Sequence, residues 1–536
     1  MAPRRFIVRF RVGLVCVAVA IGGVFTVRPL ASQDVQVRRV QVPSIAVPRI
    51  QVPVAPGPTR PAPVPLQLPV MSRDLVIALT EAADRGLPYV PGQVIVKFRS
   101  GAGPEGRQRV LSMVPSQPDA DGVEWILGDI ALVKNIGPID PEMMAQQLNA
   151  QSDVVWAEPN YLVKPNFTPS DPSYANRQWN MNAINMPRAW DIAPGGSSSV
   201  IVAVVDTGIT TFAATTTNVS IWNGSAIVPY AMPVGISPDF DASRFIDPRD
   251  FTISTTNPPS VVVDTDSHGT HVAGTVGENT NNGVNLAGIA FKTTIMPLKA
   301  CTSDWDFQLA RSAAGLTGFA AGAGTCLSTW TAAAIKYAAD HGAKVINYSI
   351  GGSSPNLTVR DAMAYAVSKG VFIAMSNGND FEDGNPVHYP SSYAPELAGA
   401  MSVASTNFLG QRSYYSSTGT YTEIAAPGGD ARQGSVIWQA TIRSSDSFYL
   451  SGFFPRFDRY DERGFQGTSM ASPHVAGVAA LLISRQLELG RTLTPAQVET
   501  ILRQTAKDIG AVGKDNDFGY GLVQPFAALF GQGIIR

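Results

Sequence analysis

Three short segments of this 536-residue chain carry side chains able to do nucleophilic chemistry. The run Gly467-Thr468-Ser469-Met470-Ala471-Ser472-Pro473-His474-Val475-Ala476-Gly477 sets a serine at a turn that opens a helix of very small residues. A helix N-terminus leaves backbone N–H groups unpaired and carries partial positive charge, so Ser469 sits beside ready-made stabilisation for an oxyanion. Taken alone, the segment also reads as a serine N-cap on a buried helix. Asp266-Ser267-His268-Gly269-Thr270-His271-Val272-Ala273-Gly274-Thr275 opens a second helix with two histidines three apart on one face. Histidine is the natural general base near neutral pH. A His-x-x-His pair also suits zinc, but no third ligand stands at a useful spacing. Asp206-Thr207-Gly208 follows a continuous apolar run at 200–205. There an aspartate either opens an Asx-turn or stands at the carboxyl end of a buried strand, where open parallel sheets gather functional side chains. Aspartate, histidine and serine are together the parts of a nucleophilic triad, whose chemistry is acyl transfer.

The elements that must position these residues are also legible. Apolar runs at 200–205, 295–298, 344–349 and 371–375 alternate with helical stretches at 331–341 and 358–369. The alternation predicts an α/β fold, a doubly wound and mostly parallel sheet covered by helices on both faces. Upstream, residues 71–165 read as a small α+β domain: a strand at 94–98 after the Pro91-Gly92 turn, a strand at 131–133, a helix at 141–148 with proline in its first turn, and a closing strand at 154–157. Nine of the 27 residues from 43 to 69 are proline, so 34–70 reads as an extended linker. Residues 1–33 have the basic-then-apolar layout of an export signal or, if uncleaved, of an N-terminal anchor.

Composition narrows the classes of function. Forty basic side chains against 42 acidic ones give a net charge of −2, which offers no field for nucleic acid; contact with a membrane is expected only through the first segment. Cys16 lies in the apolar N-terminal run, leaving Cys301 and Cys326 as the candidate pair in the folded body. A disulfide between them would contribute about 3 kcal/mol in an exported protein, and two free thiols are the alternative.

From about residue 171 to 528 the chain resembles the subtilisin-like serine proteases. The motifs are Val204-Val205-Asp206-Thr207-Gly208-Ile209, His268-Gly269-Thr270-His271-Val272-Ala273-Gly274-Thr275 and residues 467–477, with Asp171-Pro172-Ser173-Tyr174 near the start and Gly519-Tyr520-Gly521 near the end. The resemblance implies Ser469 as nucleophile, His268 as base and Asp206 as orienting carboxylate, with His271 and His474 structural. It implies Asn379, in Ser376-Asn377-Gly378-Asn379, as oxyanion donor, with Asn377 as the fallback. It further implies that Ser349, Ile350 and Gly351 pair with an extended protein or peptide substrate. His388, before Tyr389-Pro390, falls where the family places the floor of its main specificity pocket, and is expected on a solvent-exposed loop.

Residues 90–98 and 155–161 resemble the family's inhibitory propeptides. The chain is therefore expected to be a self-processing zymogen whose own N-terminal domain blocks residues 166–536 until cut. A secreted endopeptidase of broad, hydrophobic preference follows, needing no cofactor for the chemistry. Asn281-Asn282-Gly283 resembles part of a family calcium loop, which leaves a structural calcium open. The stretch 210–217 departs from the family pattern and is expected to form surface loops. The competing function is a catalytically silent member acting as a binding or surface-display scaffold.

Overall fold

The computed structural model describes residues 72–530 apart from 86, 88, 117–121, 163–166, 213–214, 319–323 and 444–453. The expected signal (1–33), linker (34–70), Cys16 and the tail residues Lys164, Pro165 and Asn166 lie outside the described residues.

Strands β1 (Tyr89–Phe98), β2 (Val123–Leu127), β3 (Ile130–Lys134) and β4 (Val154–Tyr161) form an antiparallel sheet in the order β2-β3-β1-β4. Val94, Val96 and Phe98 alternate along β1 toward a core shared with Ala131, Val133, Met144 and Leu148. The Pro141–Asn149 helix starts where proline needs no N–H partner and Asp140 accepts from Glu142 N (2.9 Å) and Met143 N (3.4 Å). This is the expected α+β unit, with β2 and the helices Arg73–Arg85 and Pro104–Leu111 in addition.

Downstream run β5 (Ile201–Asp206), β6 (Thr215–Trp222), β7 (Ile227–Val234), β8 (Arg249–Asp250), β9 (Thr294–Lys299), β10 (Val345–Tyr348), β11 (Phe372–Ser376), β12 (Ala400–Thr406), β13 (Ile424–Pro427), β14 (Ile437–Ile442) and β15 (Tyr460–Phe465). Seven form a parallel sheet in the order β13-β12-β11-β10-β5-β9-β8. Because both faces are covered, strands β5, β10, β11, β12 and β13 are buried along nearly their whole length rather than at alternate residues. Val202, Val345 and Phe372 pack on one face against the Thr468–Glu488 helix. Ala203, Val205, Ile346 and Met375 pack on the other against the helices Ser328–Asp340 and Leu357–Ser368. Each large side chain so buried stabilises the fold by about 1.5–3 kcal/mol. From β5 the chain goes to the edge strand β8, returns to β9 beside β5, and then crosses to β10 and beyond on the other side. The switch point therefore lies between the carboxyl ends of β5 and β10, where Asp206 and Ser349 stand.

The expectation of surface loops at 210–217 is corrected from residue 215 on, where β6 begins and pairs with β7 as an antiparallel hairpin. Ile221, Met232 and Val234 bury against Trp305, Ile442 and Phe457. A β-branched run able to cover apolar neighbours gains more as a strand than as a solvated loop. No helix among the described residues is long and apolar enough to cross a membrane.

Candidate active site

Asp206 ends β5 with 1% of its surface exposed. Its Oδ1 accepts from Thr207 N and from His268 Nδ1, both at 2.7 Å. Lys299 is its neighbour in β9, but the ammonium donates to Thr207 O (2.8 Å) and pairs with Asp306 (2.7 Å).

His268 opens the His268–Gly277 helix, and the fully buried Asp264 fixes where that helix begins. Asp264 Oδ1 accepts from Thr207 Oγ1 (3.0 Å), Asp266 N (2.9 Å) and Ser267 N (3.0 Å), while Oδ2 accepts from Thr270 N (3.0 Å) and Oγ1 (2.6 Å). Of the helix's first donors, His268 N goes to Asp266 Oδ1 (3.1 Å), Gly269 N to Thr207 Oγ1 (2.9 Å) and Thr270 N to Asp264, so together these side chains tie the helix start to the strand end that holds Asp206. Ser267 takes φ +107°, a conformation that costs an L-residue on the order of 1–3 kcal/mol and persists because these bonds hold it. Gly269 is required, since a Cβ there would stand 2.3 Å from Gly208 O.

Burial pulls the His268 pKa down, but the Asp206 charge and hydrogen bond, with Asp266 and Asp264 behind them, more than offset this and lift it from 6.5 to about 9. The ring keeps 29% of its side-chain surface exposed. The other helix histidines differ. Burial pushes His271 down to about 3, its Nε2 lies 3.0 Å from Ile437 O, and its ring stacks on Phe465. Burial pushes His474 down to about 4, between Met470 O (2.8 Å) and Asn180 Nδ2 (2.8 Å). His268 and His271 therefore serve separate networks rather than one zinc site.

Ser469 follows Gly467 and Thr468 at the start of the long central helix. Pro473 has no N–H to give to the carbonyl four residues back, so the carbonyl of Ser469 is released from the helical ladder. Ser349 Oγ donates to it at 2.9 Å, and Ser469 Oγ donates back to Ser349 O at 3.3 Å. Asn379 Oδ1 accepts from Thr468 N and Thr468 Oγ1, both at 2.9 Å, which fixes the amide and leaves Nδ2 free of that contact. Asn377 is turned elsewhere, donating to Ser417 O (2.6 Å) and Thr422 Oγ1 (3.1 Å).

A cavity of about 320 Å³ is lined by Asp206, His268, Ser469, Asn379, Ser349, Ile350 and Gly351, the whole set expected from the sequence. His388 also lines it, and here the expectation of an exposed loop is corrected: the residue is 5% exposed. Cys301 and Cys326 are bonded and form part of the same wall. The sequence motifs do not by themselves single out Asp264, Thr207 or Thr468. Thr468 could have been singled out as the hydroxyl preceding the nucleophile candidate; Asp264 is one of several aspartates in its segment, and only the fold distinguishes it.

A parallel sheet that gathers a carboxylate, an imidazole and a hydroxyl at one switch point is the architecture of an enzyme working by nucleophilic attack. The subtilase family model matches residues 197–521. A thermophilic serine proteinase of Bacillus sp. (strain AK1) is 31% identical over 443 residues, which cover 82% of this chain and 88% of that protein. Thermitase of Thermoactinomyces vulgaris is 31% identical over 350 residues, 65% of this chain and 94% of thermitase. An extracellular protease of Xanthomonas campestris pv. campestris is 32% identical over 415 residues, 76% of this chain and 64% of that protein. The chain belongs to the subtilase family and is a serine endopeptidase of subtilisin-like fold.

Proposed function

We propose that Ser469 Oγ attacks the scissile carbonyl of a protein or peptide substrate while His268 Nε2 takes its proton, and that the imidazolium then protonates the leaving amine. Asp206 holds Nδ1–H, which keeps Nε2 the acceptor and stabilises the imidazolium. Asn379 Nδ2 and the backbone N–H of Ser469 receive the oxyanion. Ser469 Oγ exchanges its long bond to Ser349 O for one to His268 on the way to attack. Water hydrolyses the acyl-enzyme by the same steps in reverse order. Residues 349–351 pair with the extended substrate backbone. The observation that carries this reading is the 2.7 Å bond from buried Asp206 to His268, in the cavity that Ser469 lines. A silent scaffold has no use for a complete set of this kind.

The wider reading is a secreted, broadly degradative enzyme made as a zymogen. Its domains are an export segment (1–33), a linker (34–70), an inhibitory propeptide (71–165) and the catalytic domain (166–536). The separate core of the α+β unit and the Cys301–Cys326 bond, at home in an oxidising compartment, support it. The Ser469→Ala chain is expected to accumulate unprocessed and to hydrolyse no peptide. Normal processing of that variant assigns the cut to another protease, and retained hydrolysis removes Ser469 from the mechanism.

A structural calcium fits the residues near its expected loop. Asp239 is fully buried, and burial, with the nearby Asp171 charge, raises its carboxyl to about 7. The partners of Asp239 are neutral: Asn282 Nδ2 (2.8 Å) and Leu286 N (3.3 Å). Asp171 and Asp239 are the hard carboxylate donors that would hold the ion, which would neutralise them and pin the loop, while Asn282 turns its oxygen to Val284 N (2.9 Å).

A further inference from the structure

Thr207 uses every polar atom it has on the two elements that carry Asp206 and His268. Its N–H donates to Asp206 Oδ1 (2.7 Å), and its carbonyl accepts from the Lys299 ammonium (2.8 Å), which is 2% exposed and paired with Asp306. Its hydroxyl works in both directions: the O–H donates to Asp264 Oδ1 (3.0 Å), and the oxygen accepts from Gly269 N (2.9 Å). Among the described residues, only Thr207 N and His268 Nδ1 hydrogen-bond the Asp206 carboxylate, whose Oδ2 is buried without a partner. Gly269 directly follows His268, so the hydroxyl grips the base's helix one residue from the ring. Strand end and helix meet there backbone to backbone. A Cβ on Gly269 would stand 2.9 Å from Gly208 N and 3.0 Å from Thr207 Oγ1.

We infer that Thr207 is a positioning residue for the reaction: its hydroxyl clamps the first turn of the His268 helix to the end of β5 and so sets the approach of the imidazole to Asp206. It acts through those two side chains, and the inference rests on the roles proposed for them. Valine keeps the shape of the side chain and removes the hydroxyl. The buried Gly269 N then loses its acceptor, and Asp264 Oδ1 loses one of its three donors. A buried N–H is costly to leave unpaired, so the helix start shifts toward another acceptor and carries the ring with it. A misplacement of about 1 Å costs on the order of a hundredfold in rate. The bonds of Thr207 N and O survive in valine, which isolates the hydroxyl. Serine keeps the hydroxyl and drops only the methyl group.

The test compares Thr207→Val and Thr207→Ser with the unaltered enzyme, each freed of its N-terminal region by added wild-type enzyme that is then removed. Steady-state hydrolysis of a peptide anilide is measured per folded molecule, together with the low-field NMR signal of the His268 Nδ1 proton that a short bond to a carboxylate produces. In Thr207→Val, kcat is expected to fall about a hundredfold with KM within threefold of wild type, and the proton signal to move upfield or vanish by exchange. Thr207→Ser is expected to keep both the signal and kcat within threefold. A folded valine variant with kcat within threefold of wild type overturns the inference, and so does a serine variant that falls as far as valine or a change confined to KM. Should the valine variant not fold, Thr207→Ala is read by the same criteria; failure of both to fold while serine folds assigns the hydroxyl to stability alone and also overturns it. An unaltered enzyme that neither hydrolyses the anilide nor takes a fluorophosphonate at Ser469 overturns the reaction proposed for the site, a result distinct from all of these.

Discussion

Replacing Asp206 with asparagine keeps the shape of the side chain and removes the anion that touches the His268 ring. The carboxylate is 1% exposed and accepts from His268 Nδ1 and Thr207 N at 2.7 Å. An amide there can turn its NH₂ toward the imidazole, which then needs a lone pair on Nδ1 and a proton on Nε2, where Ser469 needs an acceptor. The wrong tautomer and the lost charge together are expected to lower kcat by about 10⁴, or about 5.5 kcal/mol at 1.36 kcal/mol per decade. KM should change little, because Asp206 makes no substrate contact in this account. The ring should also titrate well below 9, because burial is then no longer opposed by its main partner. The assay is steady-state hydrolysis of a peptide anilide by the variant, freed of its N-terminal region with added wild-type enzyme that is then removed, together with NMR titration of the ring. A kcat within tenfold of wild type, or a ring that still titrates near 9, refutes the reasoning.

Activity should rise with pH along a limb centred above 6.5 and toward 9, since the base must be neutral and the His268 pKa is raised. The same raised value means that protonation of His268 favours the folded state, a contribution present in full below about pH 6.5 and lost as pH climbs through 9. A limb in kcat/KM below 6.5 contradicts both. Asn379→Ala should lower kcat about 10²–10³-fold, as the loss of a single oxyanion donor does, with KM nearly unchanged; unaltered kcat rejects the donor. Free calcium at a hundred times its Kd should add about 2.7 kcal/mol of stability, visible as a Tm several degrees above that in chelator, and Asp239→Asn should abolish the difference. Equal Tm with and without chelator in the unaltered protein sinks the calcium site.

The sequence was most informative where a local rule and the global fold coincide. The runs at 200–205 and 371–375 read as buried strands within an alternating pattern, and β5 and β11 lie there. The three motif residues were readable because each sits where a strand ends or a helix begins. Less was readable where the decisive partner is distant in the chain. His388 looks like a loop residue until Gly351 and Gly378 close around it from 37 and 10 positions away. Ser349 was read as a substrate contact, but its hydroxyl also takes up the Ser469 carbonyl that Pro473 releases, a link across 120 residues. The hairpin β6–β7 was missed because its apolar partners Trp305, Ile442 and Phe457 lie far downstream.

The proposed chemistry rests on Ser469 being a nucleophile that His268 activates. Reacting the mature protein with a fluorophosphonate and mapping the adduct by peptide mass spectrometry tests it most directly. One modified residue is expected, Ser469, labelled in step with loss of hydrolysis, with labelling slowed by orders of magnitude in His268→Ala. An active protein whose Ser469 stays unmodified, or one labelled equally fast without the imidazole, contradicts it.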